Sequence, residues 1–284
     1  MKKILITGAT GFIGTKLVPK LLNEYKVVCF VRKTSDISKF KDDKLEFRYG
    51  DILDKTSLIN ATKNIDVVVH LATSHKQGKE DLNFIGSKNL LEACQSNKID
   101  KLIFISSMAT KRKILDDYGK TKLKIENLIK GSKINYIILR PSIIYSENNL
   151  SLIGKTLMEM PFIIPIIGNG KYKMSPVYID DVTEAIFRSI KNDKLINRDY
   201  DVAGSENINF NEIIDICKKR FNIKKIIVHI PIFICLFVFR LFPIVSLESV
   251  KGINQDSNVS ISELRKDLKL NPISFREGIK NVSL

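Results

Sequence analysis

Short runs of β-branched and other apolar residues alternate along most of the chain with stretches whose apolar positions recur at helical spacing. The apolar runs predict strands at 3–7, 26–31, 45–49, 66–70, 101–106 and 135–140, with a seventh candidate at 200–203. The other stretches predict helices at 12–24, 55–62, 80–96, 116–130 and 180–191. Such alternation is typical of a parallel sheet covered on both faces. We therefore expect an α/β fold with a doubly wound, Rossmann-type sheet of about seven strands.

A glycine-rich turn stands between the first predicted strand and the first predicted helix. The strand is followed at once by Gly8, Gly11 and Gly14. Gly8 allows a tight turn, Gly11 lets the backbone approach a phosphate, and Gly14 lets helix and strand pack closely. The N–H groups at the start of the helix would hold the phosphates. A strand, a glycine turn and a helix in this order predict a dinucleotide-binding site.

The alternation of strands and helices stops after Pro141. Residues 147–174 are rich in turn formers, which predict an irregular segment: Pro161, Pro165, Gly168 and Gly170. Residues 205–284 form a second stretch outside the sheet pattern. We expect a dinucleotide-binding domain over 1–146 plus about 175–204. The small substrate-binding lobe would comprise 147–174 and 205–284.

The segment 226–247 is strongly apolar but is interrupted by histidine, arginine and proline. Its longest stretch without charge or proline, 232–239, is too short to span a bilayer. We expect a buried or half-buried helix in the small lobe, with peripheral contact between 226–247 and a membrane surface as the alternative.

Composition narrows the function classes. Apolar residues make up 44% and charged residues 27% of the 284-residue chain, as in ordinary globular proteins. The four cysteines are far apart and form no metal-binding or redox pair, and no secretory signal is recognised. We therefore expect a cytoplasmic protein, with membrane association left open, and no metal site. The formal net charge of +15 is spread along the chain. This favours a solvated basic surface over a nucleic-acid site.

Three side chains after the fifth predicted strand carry candidate chemistry. Tyr118 and Lys122 are four residues apart on a predicted helix, hence on one face. An ammonium beside a phenol favours the phenolate and lowers its pKa. Ser107 follows the fifth predicted strand, where hydroxyls face the cofactor crevice of a doubly wound sheet. His70, in contrast, ends a buried strand and is expected to be structural.

These motifs resemble the short-chain dehydrogenase/reductase superfamily, in its extended or atypical branch, the NAD-dependent epimerase/dehydratase family. The resemblance covers nearly the whole chain. It is carried by the segments 7–14, 50–52, 70–72, 83–91, 105–107, 118–122, 140–145 and 176–182.

The resemblance implies a role for each matching residue. Tyr118 would be the acid/base, Lys122 would lower its pKa and bind the nicotinamide ribose, and Ser107 would hydrogen-bond the reacting oxygen. Further cofactor contacts would come from Gly8, Thr10, Gly11, Phe12, Ile13, Gly14, Asp51, Ile52, Leu71, Ala72, Thr73, Pro141 and Ile144. Residues 145–175 would contact substrate, and the named substrate candidates are His75, Ser107 and Tyr145.

Two departures from the family pattern matter. Ser107 and Tyr118 are only eleven residues apart, as in atypical members, and residues 108–110 offer no acidic pair. A dehydratase is therefore disfavoured, while oxidation, reduction and epimerisation stay open. In addition, the second predicted strand leads into Arg32 and Lys33, which suit a ribose 2′-phosphate better than the usual acid would. We therefore expect NADP(H) over NAD(H).

Two functions follow from this sequence. The first is an NAD(P)-dependent oxidoreductase or epimerase that acts on a nucleotide-sugar, with hydride transfer to or from nicotinamide; a homodimer is left open. The alternative is a non-catalytic NADPH-binding accessory or membrane-docking protein resembling the nucleotide-binding subunit of respiratory complex I. RNA binding has only the net charge in its favour.

Overall fold

A computed structural model describes residues 1–73, 80–158, 160–241, 252, 255–257 and 259–283. His75 and the last part of the segment 226–247, from residue 242 onward, lie outside the described residues. The chain divides into two compact units. Unit 1 comprises Met1–Ser107, Lys120–Arg140 and Thr183–Tyr200, and unit 2 comprises Met108–Gly119, Pro141–Val182 and Asp201–Leu284.

The strands in chain order are β1 (Lys3–Thr7), β2 (Lys26–Val31), β3 (Glu46–Tyr49), β4 (Val67–His70), β5 (Lys101–Ile105), β6 (Tyr136–Pro141), β7 (Ile144–Tyr145), β8 (Ile163–Ile167), β9 (Lys173–Met174), β10 (Val177–Tyr178), β11 (Arg198–Val202), β12 (Ile208–Asn209) and β13 (Ile226–Ile230). The α-helices are α1 (Gly14–Leu21), α2 (Lys55–Ala61), α3 (Glu80–Ser96), α4 (Asp117–Lys130), α5 (Ser151–Met158), α6 (Ile179–Lys191), α7 (Phe210–Phe221), α8 (Ile232–Leu241), α9 (Ser262–Leu268) and α10 (Phe275–Gly278).

The central sheet has seven strands in the order β11-β6-β5-β4-β1-β2-β3. β1 pairs in parallel with β2 on one side and with β4 on the other, so that Leu5 lies between Val28 and Val68. The chain therefore winds outward in both directions from β1 and β4, which confirms the expected doubly wound parallel sheet. Every predicted strand of this sheet is present, with ends shifted by at most two residues.

The five inner strands of the central sheet are buried almost throughout rather than in alternation, because helices cover both faces of the sheet, whereas the edge strands β3 and β11 are only partly buried. All four residues of β4 and all five of β5 are buried. Leu5, Val68 and Leu102 belong to one core with side chains from α2, α3 and α4. This continuous burial fixes the ends of the strands, and with them the loops that carry the candidate site.

Unit 2 contains short strand pairs. The secondary structure of residues 147–174 in this unit differs from the expectation. That segment is not irregular, because it forms α5 and β8, and β8 pairs in parallel with β13. Pro165 is tolerated within β8 because a strand of a two-stranded sheet has a free edge. The predicted helix in 226–247 is present as α8. The expected burial holds for Cys235 but is wrong for Phe233 and Phe237, which are exposed.

Candidate active site

The predicted cofactor residues of unit 1 follow successive strands of one parallel sheet. The first turn follows β1, Arg32 follows β2, Asp51 follows β3, and residues 71–73 follow β4. Ser107 comes two residues after the end of β5. Because parallel strands share a carboxyl edge, the topology gathers these loops at one edge of unit 1, around the point where the strand order reverses.

The glycine turn has the backbone geometry that the sequence predicts. Gly8 adopts a φ of +75°, and a Cβ there would lie 2.7 Å from the backbone nitrogen of Ala72. A Cβ on Gly14 would lie 2.3 Å from the carbonyl oxygen of Ala9. Any larger residue at either position would push apart the turn, the helix and the loop after β4. Among the described residues, a Cβ on Gly11 would approach the Gly8 carbonyl alone, at 3.2 Å, so nothing in that part of the chain covers the outer side of this turn.

The start of α1 fits an anionic group. Ile13 precedes the helix and provides no side-chain cap, and the first turn holds no acidic residue. Phe12 is partly exposed, while Thr10 and Ile13 are half-buried. The N–H groups of an uncapped first turn carry the positive end of the helix dipole, so this turn is suited to a pyrophosphate.

The loop after β4 contains a buried hydroxyl without a partner in the described part of the chain. The Thr73 Oγ1 is buried and forms no hydrogen bond there. Its neighbours Leu71 and Ala72 are tied back to β1: the N–H of Leu71 donates to the Thr7 carbonyl at 3.1 Å. A buried hydroxyl left unpaired is costly. Thr73 therefore fits a polar ligand such as the cofactor at this edge.

His70, the last residue of β4, links three elements of unit 1. Its Nδ1 lies 2.8 Å from the Thr7 hydroxyl and its Nε2 lies 2.9 Å from the Ser87 hydroxyl. Ser87 donates its own proton to the carbonyl of Asn83 at 2.8 Å. It can therefore accept from Nε2–H, which assigns a proton to Nε2 of His70. Burial, reinforced by Lys122, lowers the pKa of His70 to about 3. The side chain serves as a structural link, as the sequence predicts.

The loop after β2 presents two cations. Arg32 and Lys33 are exposed, and the backbone N–H of Arg32 donates to the Ser35 hydroxyl oxygen at 3.2 Å. The first acid after this strand, Asp36, accepts the N–H of Ser38 at 2.9 Å, and hydrogen bonds from the Ser38 side chain and backbone lower its pKa. The guanidinium and the ammonium are thus the charged groups that follow β2 directly.

The loop after β3 forms a second wall at this edge. The Asp51 carboxylate accepts the N–H of Leu53 at 2.9 Å, which fixes the turn. Ile52 is half-buried, and its carbonyl accepts a hydrogen bond from the Asn89 side chain on α3 at 3.3 Å. Asp51 and Ile52 are therefore held in a defined loop at the position expected for contact with the adenine.

Helix α4 carries Tyr118 and Lys122 one helical turn apart. Tyr118 is half-buried, whereas Lys122 is only 4% exposed. The Lys122 Nζ donates to the carbonyl of Ile105, the last residue of β5, at 2.9 Å and lies 4.7 Å from the centre of the Phe104 ring. Burial lowers the pKa of Lys122 to about 7, against the opposing effect of Glu126. The ammonium is thus held at the end of the strand that leads into Ser107.

Beyond Lys122, α4 carries a buried carboxylate that the sequence analysis missed. Glu126 is 1% exposed and forms a two-pronged ion pair with Arg140, at 2.9 and 2.6 Å. It also accepts the Ser106 hydroxyl at 2.5 Å. Although burial acts to lower it, the pKa of Arg140 is raised because Glu126 and Asp199 stabilise its cation. The spacing of Glu126 four residues after Lys122, which places both on one face of α4, is the signal that could have identified it.

Three further predicted residues belong to unit 2. Pro141 is buried at the end of β6, and Ile144 begins β7 and is half-buried. Tyr145 lies fully buried in the core of unit 2, with its ring 5.1 Å from that of Phe275 and 5.3 Å from that of Tyr178. The structure thus gives the Tyr145 side chain a packing role and no exposed surface for a substrate.

A doubly wound sheet with a glycine turn after β1, an open helix N-terminus and a Tyr–Lys pair on α4 defines a nucleotide-binding protein of the Rossmann class. The model of the NAD dependent epimerase/dehydratase family matches residues 4–203. The chain belongs to this family, and it is therefore an enzyme of the short-chain dehydrogenase/reductase superfamily.

Several known proteins are similar to this chain. The N-acetyl-alpha-D-glucosaminyl-diphospho-ditrans,octacis-undecaprenol 4-epimerase of Escherichia coli O157:H7 is 24% identical over 255 residues, which cover 80% of this chain and 75% of that protein. Photosystem II assembly factor Ycf39 of Cyanophora paradoxa is 27% identical over 240 residues, which cover 81% and 72%. The solved structure of UDP-glucuronic acid 4-epimerase from Bacillus cereus, in complex with UDP-glucuronic acid and NAD, is 26% identical. It has a TM-score of 0.78 and covers 98% of this chain and 97% of that chain.

Proposed function

We propose that this enzyme is an NAD(P)-dependent oxidoreductase or epimerase that acts on a nucleotide-sugar. The nicotinamide, when bound, would supply the hydride acceptor or donor. Tyr118 would move a proton on the sugar hydroxyl or carbonyl, Lys122 would stabilise the phenolate, and Ser107 would donate a hydrogen bond to the reacting oxygen. The similar structure of a UDP-glucuronic acid 4-epimerase, which holds UDP-glucuronic acid and NAD, supports the nucleotide-sugar class.

The observation that carries this proposal is the position of Lys122. A lysine that is 4% exposed, fixed on the Ile105 carbonyl at 2.9 Å, loses much of its hydration. A purely structural lysine gains little from such a site, because an apolar residue would fill it at lower cost. On the same helix, four residues earlier, Tyr118 is the group whose pKa a cation at this position would lower.

We propose that NADP(H) is preferred over NAD(H). The residues directly after β2 are the exposed Arg32 and Lys33, and Asp36 already holds the N–H of Ser38. A ribose 2′-phosphate would pair with the guanidinium through charge-assisted hydrogen bonds, whereas a 2′-hydroxyl would find no free acid directly after this strand. The Bacillus cereus structure contains NAD, so the cofactor preference must be measured on this protein.

Isothermal titration with NADP and NAD tests the cofactor preference. We expect tighter binding of NADP, and the double variant Arg32→Ser/Lys33→Ser should reduce that preference at least tenfold while it leaves NAD affinity nearly unchanged. Tighter binding of NAD by the wild-type protein would refute the preference without touching the proposed reaction.

Turnover of a panel of nucleotide-sugars, with and without added cofactor, tests the activity. The panel should also hold a polyprenyl-diphosphate-linked N-acetylhexosamine, because the Escherichia coli relative is named for such a substrate. Tyr118→Phe should lower kcat by about 10²–10⁴-fold and leave cofactor affinity within a factor of about two. Full activity of Tyr118→Phe would contradict the assigned role.

The Ycf39 resemblance bears on the alternative of an accessory role. An accessory protein would bind the cofactor and turn over no member of the panel. Because no reaction would depend on Tyr118, the Tyr118→Phe variant and the wild-type protein would give the same result in every assay. That combination of results would replace the proposed enzyme activity.

A further inference from the structure

The solvent-facing side of α8 is apolar, which reverses the usual polarity of a helix on a protein surface. Phe233 is 71% exposed, Ile234 41% and Phe237 65%. These three residues, the α8 face, lie on one side of the helix because they stand at positions i, i+1 and i+4. Arg240, also exposed, follows at i+7. Cys235 is the buried residue on the other side.

The strand that leads into α8 continues this exposure. Ile226 is 70% exposed and Val228 37%, on the side of β13 opposite to Ile227, which packs against the core of unit 2. The N–H of Ile226 donates to the carbonyl of Phe162, whose side chain is 80% exposed. So many exposed large apolar side chains on one part of a unit indicate a surface that binds a protein or a membrane.

The charges around this exposed apolar surface indicate which kind of partner covers it. Residues 216–247 contain six Lys or Arg and no Asp or Glu. Lys224 lies two residues before the start of β13, and Arg240 lies in the last turn of α8; both are exposed. Aromatic side chains flanked only by cations complement an interface in which apolar chains lie beneath anionic headgroups. An apolar protein partner would require no such one-sided charge.

The length of α8 limits how it engages a bilayer. Its ten residues rise about 15 Å, half of the hydrocarbon thickness. Within the described residues no helix is long and apolar enough to cross a membrane. The helix would therefore lie in the plane of the interface with Phe233 and Phe237 directed into it.

We propose that the α8 face docks unit 2 on an anionic lipid bilayer. Phe233 and Phe237 would insert below the headgroups, and Lys224 and Arg240 would pair with lipid phosphates. This inference is independent of the cofactor and of the substrate, since it uses only the surface of unit 2.

The chain contains no tryptophan, so a single introduced tryptophan reports on insertion. In Phe237→Trp, the emission should shift to shorter wavelength on addition of vesicles with 30% phosphatidylglycerol in phosphatidylcholine. Pure phosphatidylcholine should produce a smaller shift. Tyr49→Trp, at an exposed aromatic position on β3 of unit 1, is the matched control and should show none. An unchanged spectrum of Phe237→Trp in the presence of anionic vesicles would overturn the proposal.

Vesicle flotation of the full chain provides the second test. Phe233→Ser/Phe237→Ser should reduce the bound fraction on anionic vesicles at least tenfold, and Tyr49→Ser should leave it unchanged. Lys224→Gln and Arg240→Gln should each weaken binding about fivefold. If the double variant bound as well as wild type, the docking role of α8 would be wrong. If wild type formed a dimer that the double variant lost, and neither bound vesicles, a second copy of the chain would be the occupant instead.

Discussion

Unit 1 and unit 2 place their unusual side chains in opposite environments. In unit 1, polar and charged groups are buried at the ends of strands, and Lys122, Glu126 and Arg140 each have close partners. In unit 2, α8 leaves Phe233 and Phe237 in water. Buried charge is costly unless it is paired, and exposed aromatic surface is costly unless it is covered. The first region therefore indicates a site built for polar chemistry within the fold, and the second indicates a contact made outside it.

The buried ion pair should show the largest effect on stability. Arg140→Met leaves Glu126 charged, 1% exposed and without its main partner, so we expect a loss of about 3–5 kcal/mol in the free energy of unfolding. Chemical denaturation measures it. The double variant Glu126→Leu/Arg140→Met should recover most of the loss, because the fully buried charge is then removed and the half-buried Asp199 keeps Lys130 as a partner. A double variant as unstable as the single one would show that packing, and not charge, dominates at this site.

The same contrast explains what the sequence could predict. The strand positions in unit 1 could be predicted from apolar runs such as 66–70. The roles of Gly8 and Gly14 could also be predicted, because the close approach of neighbouring backbone leaves no room for a side chain. The Glu126–Arg140 pair could not be predicted, because the partner of the arginine depends on which side of α4 packs inward.

The segments whose structure or burial was predicted wrongly belong to unit 2. In 147–174, α5 and β8 are stabilised by packing against other parts of that unit rather than by a local repeating pattern. The apolar run in 226–247 predicted burial because hydropathy shows that a side chain avoids water. It does not show whether the same chain or another molecule covers that side chain. Exposure of Phe233 became visible only from the fold.

His70 should make the stability of unit 1 depend on acid. Its pKa is about 3 in the folded chain and about 6.5 when unfolded, so the unfolded state binds the extra proton between these values. The neutral form stabilises the fold fully above pH 6.5, and this contribution falls by about 2 kcal/mol at pH 5. His70→Gln should lose that part of the pH dependence. Parallel denaturation series of both proteins at pH 7 and pH 5 measure the difference. Equal slopes would mean that His70 is protonated in the fold.

Lys122 should couple cofactor binding to proton uptake. Its pKa of about 7 leaves it mostly neutral at pH 8, and an anionic cofactor nearby would raise that pKa. The complex would therefore bind a proton, and affinity would fall by at most about tenfold per pH unit between pH 7 and 9, a change of about 1.4 kcal/mol. Titration calorimetry at pH 8 in two buffers of different ionisation enthalpy counts the proton. Lys122→Met should bind with no uptake, and uptake that persists in this variant would assign the proton to another group.

Substitutions in the α8 face should have the smallest effect on the free energy of unfolding. A small effect distinguishes an exposed docking surface from a buried core. Phe233→Ser/Phe237→Ser removes two rings that are 71% and 65% exposed, so the free energy of unfolding should change by no more than about 0.5 kcal/mol. Serine and phenylalanine have similar helix propensities, so the helix itself is not weakened. In the same unit, Phe275 is fully buried, and Phe275→Ala should cost about 3–5 kcal/mol. Denaturant unfolding of the two variants compares them directly. A loss above about 2 kcal/mol in the α8 variant would place these rings inside the fold, and the contrast between the two units would then disappear.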